Sequence, residues 1–133
     1  YLRLQNIEVA AGILIDKNKR ILLAQRSHLK IFPLQWEFPG GKLEKSESIE
    51  SALIRELKEE LNIEIRETEF LMELKHDYDA FRVKIHFYLV RSWSGLAIGN
   101  ETQLIQWYSI DQLSDVDLLA ADTPVIKVLK KVL

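Results

Sequence analysis

The stretch Gly40–Ile63, GGKLEKSESIESALIRELKEELNI, constrains this chain more than any other segment. It opens with two glycines, passes through a serine-rich turn, and continues as a helix in which Glu56, Glu59 and Glu60 stand at i, i+3 and i+4. That spacing brings all three carboxylates out on one side of the helix. Leu53, Leu57 and Leu61 repeat every four residues on an adjoining stripe fit to pack into a core. Acidic residues on a helix are usually its wet face, and that accounts for Glu50. It accounts poorly for the trio, because like charges one turn apart destabilise a helix. At ~4 Å and an effective dielectric of about 20, each close pair costs on the order of 4 kcal/mol before relaxation. Hard divalent cations such as Mg²⁺ remove that penalty, since they take oxygen ligands and share a few carboxylates with substrate phosphates. An acidic helix behind a glycine pair therefore reads as a metal–phosphate site.

The chain around this stretch is long enough for one domain with a real core, at 133 residues, and too short for two ordinary ones. With 18 basic and 20 acidic side chains the net charge is −2, so no global field draws it to nucleic acid polymers or anionic membranes. Cysteine is absent, which excludes disulfides, thiolate metal sites and a cysteine nucleophile, and suits a cytoplasmic protein. No apolar run reaches the length of a membrane span, and the opening YLRLQNIEV has neither the n-region nor the h-region of a signal peptide.

Patterning predicts strands over Ile7–Asp16, with its apolar run VAAGILI, and over ILLAQR after a polar turn at Lys17–Arg20. Ser27–Gln35 is a loop. Ser48 is expected to cap the acidic helix, Ile49 to begin it and Asn62 to stop it. Glu64–His76 reads as one or two strands, with Phe70, Met72 and Leu74 alternating. In Phe81–Val90, Val83, Ile85, Phe87 and Leu89 face one way and Arg82, Lys84, His86 and Tyr88 the other. Ser94–Asn100 is a loop, Leu104–Ser109 a strand and SIDQL a short helix. Asp122 is expected to cap a closing helix with Pro124 in its first turn. The order predicts an α+β fold in which a mixed β-sheet is sandwiched between α-helices, as a single domain over residues 1–133. His28, His76 and His86 have no ligand spacing and read as ordinary surface or sheet residues.

Gly41, Glu47, Arg55, Glu56, Leu57, Glu59, Glu60 and Ile63 together resemble the signature of the Nudix hydrolases, G-x5-E-x7-R-E-U-x-E-E-x-G-U. Six fixed matches at 6–7% usage have a chance probability of roughly one in ten million per starting point. The one departure is Asn62 where the pattern has glycine, and asparagine is the other residue at ease in the left-handed conformation that ends a helix. VAAGILI, ILLAQR, WEFPGGK and LLAADTPVIKVLKK are also similar to their counterparts in MutT-type and CTP pyrophosphohydrolases, so the resemblance covers nearly the whole chain. It implies the Nudix fold and a Mg²⁺-dependent reaction, with Mn²⁺ as a substitute, in which an activated water splits a nucleoside triphosphate into monophosphate and pyrophosphate.

The resemblance also assigns residues. Glu56, Glu59 and Glu60 would hold metal together with the backbone carbonyl of Gly40, and Arg55 with Glu47 would form an orienting pair. Glu101, in GNETQ, matches a further metal ligand and candidate general base, a role for which Glu56 competes. Arg26 and Lys42 fall where the family contacts phosphate or substrate. Phe38, Tyr78, Phe81 and Asp122 are the candidates for the base. Asparagine commonly stands at the position of Asp122 in enzymes that remove 8-oxo-guanine nucleotides. An ionised aspartate there only accepts hydrogen bonds, which suits cytosine N4 or the N1–H and N2–H₂ edge of guanine.

The function expected is therefore pool-sanitising hydrolysis of an 8-oxo-dGTP or CTP type of substrate. The alternatives are another nucleoside diphosphate derivative, such as ADP-ribose or a dinucleoside polyphosphate, and a nucleotide-binding domain without catalysis. No nucleic acid polymer or membrane partner is expected, and the chain would act as a monomer or homodimer.

Overall fold

The computed structural model describes residues 5–133; the first four residues, part of the opening read for a leader segment, lie outside them. Two long strands with apolar side chains on both faces organise the architecture. Strand β1 (Gln5–Leu14) runs parallel to β6 (Phe81–Ser94), in register from Gln5 opposite Phe81 to Leu14 opposite Val90. β4 (Gly40–Lys42) adds antiparallel to the free edge of β1, and β5 (Glu64–Asp77) adds antiparallel to β6. The resulting order is β4-β1-β6-β5. A second sheet is antiparallel, with β2 (Arg20–Gln25) between β3 (Trp36–Glu37) and β7 (Ile105–Ser109). The mixed sheet expected from the sequence is thus divided into two. The glycine pair itself opens the edge strand β4.

Each face of the larger sheet buries a separate core. Val83, Ile85, Phe87 and Leu89 pack with Ile13, Ile21, Leu23 and the closing helix α2 (Val125–Val132). On the other face Ala10, Leu14, Tyr88 and Val90 meet Leu53, Leu57 and Leu61 of α1 (Ile49–Leu61). The face of β6 expected to be polar is therefore covered from His86 onward, while Arg82 stays exposed, and His86 is buried with its Nε2 2.7 Å from Glu8. Burying one leucine of this stripe is worth roughly 1.5–3 kcal/mol, which is what offsets the electrostatic cost of the acidic flank.

The alternation read in β5 fails for a local reason. β5 is one continuous strand, but its register slips between Ile65 and Thr68 and again between Phe70 and Met72. Each bulge swaps the faces that follow. Phe70 is consequently exposed and packs edge-on against Tyr88, while Met72 and Leu74 turn to the opposite core. SIDQL forms a 3-10 helix over Ile110–Asp115. Among the described residues no helix is long and apolar enough to cross a membrane.

The boundaries of α1 follow the capping residues. Ser48 Oγ accepts the Ser51 N–H at 3.1 Å, and Asn62 adopts φ 57°, ψ 39° while its N–H reaches Lys58 O. Because the left-handed well is open to asparagine and glycine but crowded for a β-branched residue, Asn62→Gly should leave stability nearly unchanged. Asn62→Val should lower it by roughly 1 kcal/mol or more in denaturant titrations. Equal stability of all three proteins would show that this residue does not set the helix end.

Candidate active site

Gly40 is where the acidic helix meets the sheet. Its φ of +154° and its position against Ala10, whose carbonyl oxygen a Cβ would strike, both demand glycine. With the backbone drawn in this way, the Gly40 N–H donates to Glu60 Oε2 at 2.9 Å. Gly41 is bare for the complementary reason, since a Cβ there would collide with the carboxyl of Glu56.

Arg55 ties the other side of the cluster. Its Nε and Nη2 take both oxygens of Glu47 at 2.8 and 2.9 Å, its Nη1 reaches Glu56 at 2.8 Å and Glu59 at 3.3 Å, and Nη2 also donates to Lys42 O at 3.1 Å. The bidentate pair holds Glu47 down to about 2, through the Arg55 hydrogen bonds first. Glu56 is pushed up by burial despite the same guanidinium. Glu60 is pushed up to about 8, chiefly by burial, with Glu37, Glu56 and Glu101 adding like charge against the relief of the Gly40 N–H. Among the described residues no three acidic or imidazole side chains converge closely enough to hold an ion as they stand. Glu56 is occupied by Arg55 and Glu60 by Gly40.

One cavity of about 740 Å³ joins this cluster to an aromatic end. Glu56, Glu59, Glu60 and Glu101 line one part, with Gly40 and Lys42. Phe38, Tyr78, Phe81 and Asp122 line the other. All of the residues singled out for substrate contact thus share one space. Phe38 lines the cavity while packing edge-on against Phe87 with centroids 5.8 Å apart.

Asp122 departs from expectation. α2 begins at Val125 without a side-chain cap, and the Asp122 carboxyl instead accepts the Phe38 N–H through Oδ2 at 3.2 Å. Only its backbone carbonyl serves the helix, accepting from Val125 N. The side chain cannot reach the helix because residues 117–122 are held against β3: Trp36 N donates to Asp117 O, and Leu119 N to Trp36 O. At 4% exposure, and with Glu37 nearby, its pKa is driven up to about 8. Burial thus favours the carboxylic acid over the carboxylate of an ionised aspartate in the free site, and the acid form can donate as well as accept.

Arg26 also lines the cavity, but its guanidinium is engaged, with Nε on Ile31 O at 2.8 Å and Nη1 on Glu37 Oε1 at 2.9 Å. It fastens the 27–35 loop over the aromatic end. Sequence reasoning missed Glu37 and Phe32. Glu37 sits in WEFPGG one residue before Phe38, so adjacency was its signal. Phe32 adopts φ 53° and packs at a tilt against Tyr78 with centroids 4.7 Å apart, and an irregular loop offers no periodicity that could have placed it.

Comparison with known proteins gives the family. A family model described as the NUDIX domain matches residues 6–130. The 8-oxo-dGTP diphosphatase of Escherichia coli K12 is 32% identical over 128 residues, covering 96% of this chain and 99% of that protein. The CTP pyrophosphohydrolase of the same organism is 36% identical over 121 residues, covering 91% and 89%. A solved structure from work on MutT of Aliivibrio salmonicida and Vibrio cholerae superposes with a TM-score of 0.82 at 33% identity, covering 96% of this chain and 99% of that one. A signature helix seated on the Gly40 strand, and a family match spanning almost every described residue, lead to one assignment: the chain belongs to the Nudix family.

Proposed function

We propose that this chain hydrolyses nucleoside triphosphates to monophosphate and pyrophosphate, with an oxidised guanine nucleotide of the 8-oxo-dGTP type preferred. What supports the reading is one cavity lined both by Glu56, Glu59, Glu60 and Glu101 and by Phe38, Tyr78, Phe81 and the buried Asp122, whose carboxyl burial pushes up to about 8. Similar proteins named 8-oxo-dGTP diphosphatase and CTP pyrophosphohydrolase support the reaction class.

Nudix hydrolases are generally dependent on divalent metal, and the donors here suit a hard cation. All are oxygens, and among the described residues Arg55 is the cation within ion-pair distance of Glu56 and Glu59. Glu56, Glu59, Glu60, Glu101 and the Gly40 carbonyl are the groups that would hold it. A divalent ion there neutralises phosphate charge and acidifies water. Glu56 or Glu101 would accept the proton of the attacking water, and Lys42, which lines the same cavity, would meet the phosphates. Arg55 keeps the glutamates aimed by gripping Glu47 and the Lys42 carbonyl at once. Glu60 draws the helix against β4, so that the carboxylates and the glycine backbone face the same space.

At the base end, a neutral Asp122 offers a hydrogen to a carbonyl such as guanine O6 and a lone pair to N7–H of the oxidised base. An asparagine amide could offer the same pair. Repulsion of a bare carbonyl edge such as uracil O4, expected of an ionised group, is absent while the acid stays protonated.

Three outcomes test this reading. Pyrophosphate release from a nucleotide panel should need Mg²⁺ or Mn²⁺, and Glu56→Gln or Glu60→Gln should remove most of it while the protein stays folded. Full turnover in excess chelator would end the metal assignment. The second outcome concerns stability without metal. Glu60 keeps in the folded state a proton that the unfolded chain sheds near its ordinary 4.5, so stability should fall as pH rises from about 4.5 through about 8. The limiting slope is ~1.4 kcal/mol per pH unit. Glu60→Gln should flatten that fall in urea midpoints, and an unchanged slope would show that Glu60 is ionised throughout.

The third outcome follows from Asp122. Between pH 7 and 9 the kcat/KM for 8-oxo-dGTP relative to dCTP should drop as the acid loses its hydrogen. Asp122→Asn should keep the pH 7 preference and lose the pH dependence. Asp122→Ala should lose roughly 5- to 150-fold on the guanine nucleotide, the equivalent of about 1–3 kcal/mol. A ratio unmoved by pH and by both variants would leave base choice to the aromatic walls.

A further inference from the structure

The last carbonyls of a helix have no partners within it and must find donors elsewhere. In α1 these are taken one after another by a single segment. Ile98 N donates to Leu61 O at 3.1 Å, Asn100 N to Glu60 O at 2.9 Å, Asn100 Nδ2 to Glu59 O at 3.0 Å, and Gln103 Nε2 to Glu60 O at 3.2 Å. The other end of the Gln103 amide turns back on the segment, where Oε1 accepts the Glu101 N–H at 3.0 Å. A single side chain thus joins the backbone of Glu60 to the backbone of Glu101, and both of those carboxylates line the same cavity.

The segment accepts strain to do so. Thr102, a β-branched residue, stands at φ 66°, with its N–H on Gly99 O at 3.0 Å. Gly99 has no room for a Cβ, which would strike the Gln103 carbonyl. Ending the helix needs none of this, because Asn62 already provides the left-handed stop. The contact from Gln103 to the Glu101 N–H satisfies no helix carbonyl at all.

We propose that Gln103, assisted by Asn100, is a positioning residue that fixes the Glu101 carboxylate against Glu56 and Glu60. The inference rests on the functional reading above, in which Glu101 serves the metal or the attacking water. Glu101 is exposed and sits on a loop. Left untethered, its backbone would have to be ordered at each catalytic cycle. Tied to the helix that carries the other carboxylates, it moves with them. Outer groups that orient a ligand in this way commonly change metal affinity or activity by 10- to 100-fold.

The test is a double-mutant cycle on the full chain, read by Mn²⁺ binding as well as by turnover. Gln103→Ala, and Gln103→Met of similar length, should weaken Mn²⁺ binding about tenfold and lower kcat about 10- to 100-fold. KM should stay within about threefold, because no substrate contact is removed. In a Glu101→Gln background the same changes should cost less than about twofold, since the carboxylate being positioned is gone. Asn100→Ala and Gly99→Ala should move both readouts in the same direction. Thermal unfolding of each variant separates this from loss of fold, because a merely structural role would cost the same in both backgrounds. Equal Mn²⁺ affinity of parent and Gln103→Met, or equal losses with and without the Glu101 carboxylate, overturns the proposal. A Glu101→Gln protein as active and as metal-avid as the parent overturns it too, and leaves the hydrolase reading standing on Glu56 and Glu60. A parent that binds Mn²⁺ with the expected linkage but splits no nucleotide fails the functional reading alone.

Discussion

A helix with three carboxylates on one flank packs against a sheet only if something other than water answers their charge. Arg55 and the Gly40 amide are what answer it here. The guanidinium is shared among Glu47, Glu56 and Glu59, with one donor left for the Lys42 carbonyl. The amide takes Glu60, the most buried of the set. Both contacts run from α1 to β4 or its flank, so the electrostatic solution for the helix is also what pins the edge strand beside it. Remove either and a desolvated carboxylate is left facing others of its kind.

This arrangement stores unfavourable electrostatics where a cation would be useful. Glu60 is raised because burial and three neighbouring glutamates all oppose its ionisation. Perturbed groups of this sort concentrate at functional sites, where the cost to the free protein becomes affinity for a ligand of opposite charge. Asp122 shows the same physics with a different use. Buried, near Glu37 and held by one N–H, it is kept neutral, and neutrality turns an acceptor into a group that can also donate. One cavity therefore joins a group of carboxylates to aromatic walls and a buried aspartate.

Much of the architecture is legible in the sequence. The capping serine, the leucine stripe and the αL asparagine predict α1 residue by residue, because helix ends and helix faces depend on neighbours within a few positions. The central strands are equally plain, since Val83–Leu89 keeps strict alternation. β5 is not, because a bulge inserts one residue and changes which side chains share a face, and no local signal marks it. Nor could composition show that His86, on the face of β6 read as polar, is buried against Glu8.

What the sequence by itself determined is the chemistry available: the spacing of Glu56, Glu59 and Glu60, the arginine between them and Glu47, and the family to which that pattern belongs. These are matters of residue type at short range. The tertiary structure alone decided how distant groups act on one another. Phe38 and Asp122 stand 84 residues apart, and their contact makes the aspartate a buried acid rather than a helix cap. Gln103 reaches Glu60 across 43 residues and brings the Glu101 loop with it. Protonation state and carboxylate placement depend on burial and on charges folded in from elsewhere, so no reading of neighbours along the chain could supply them.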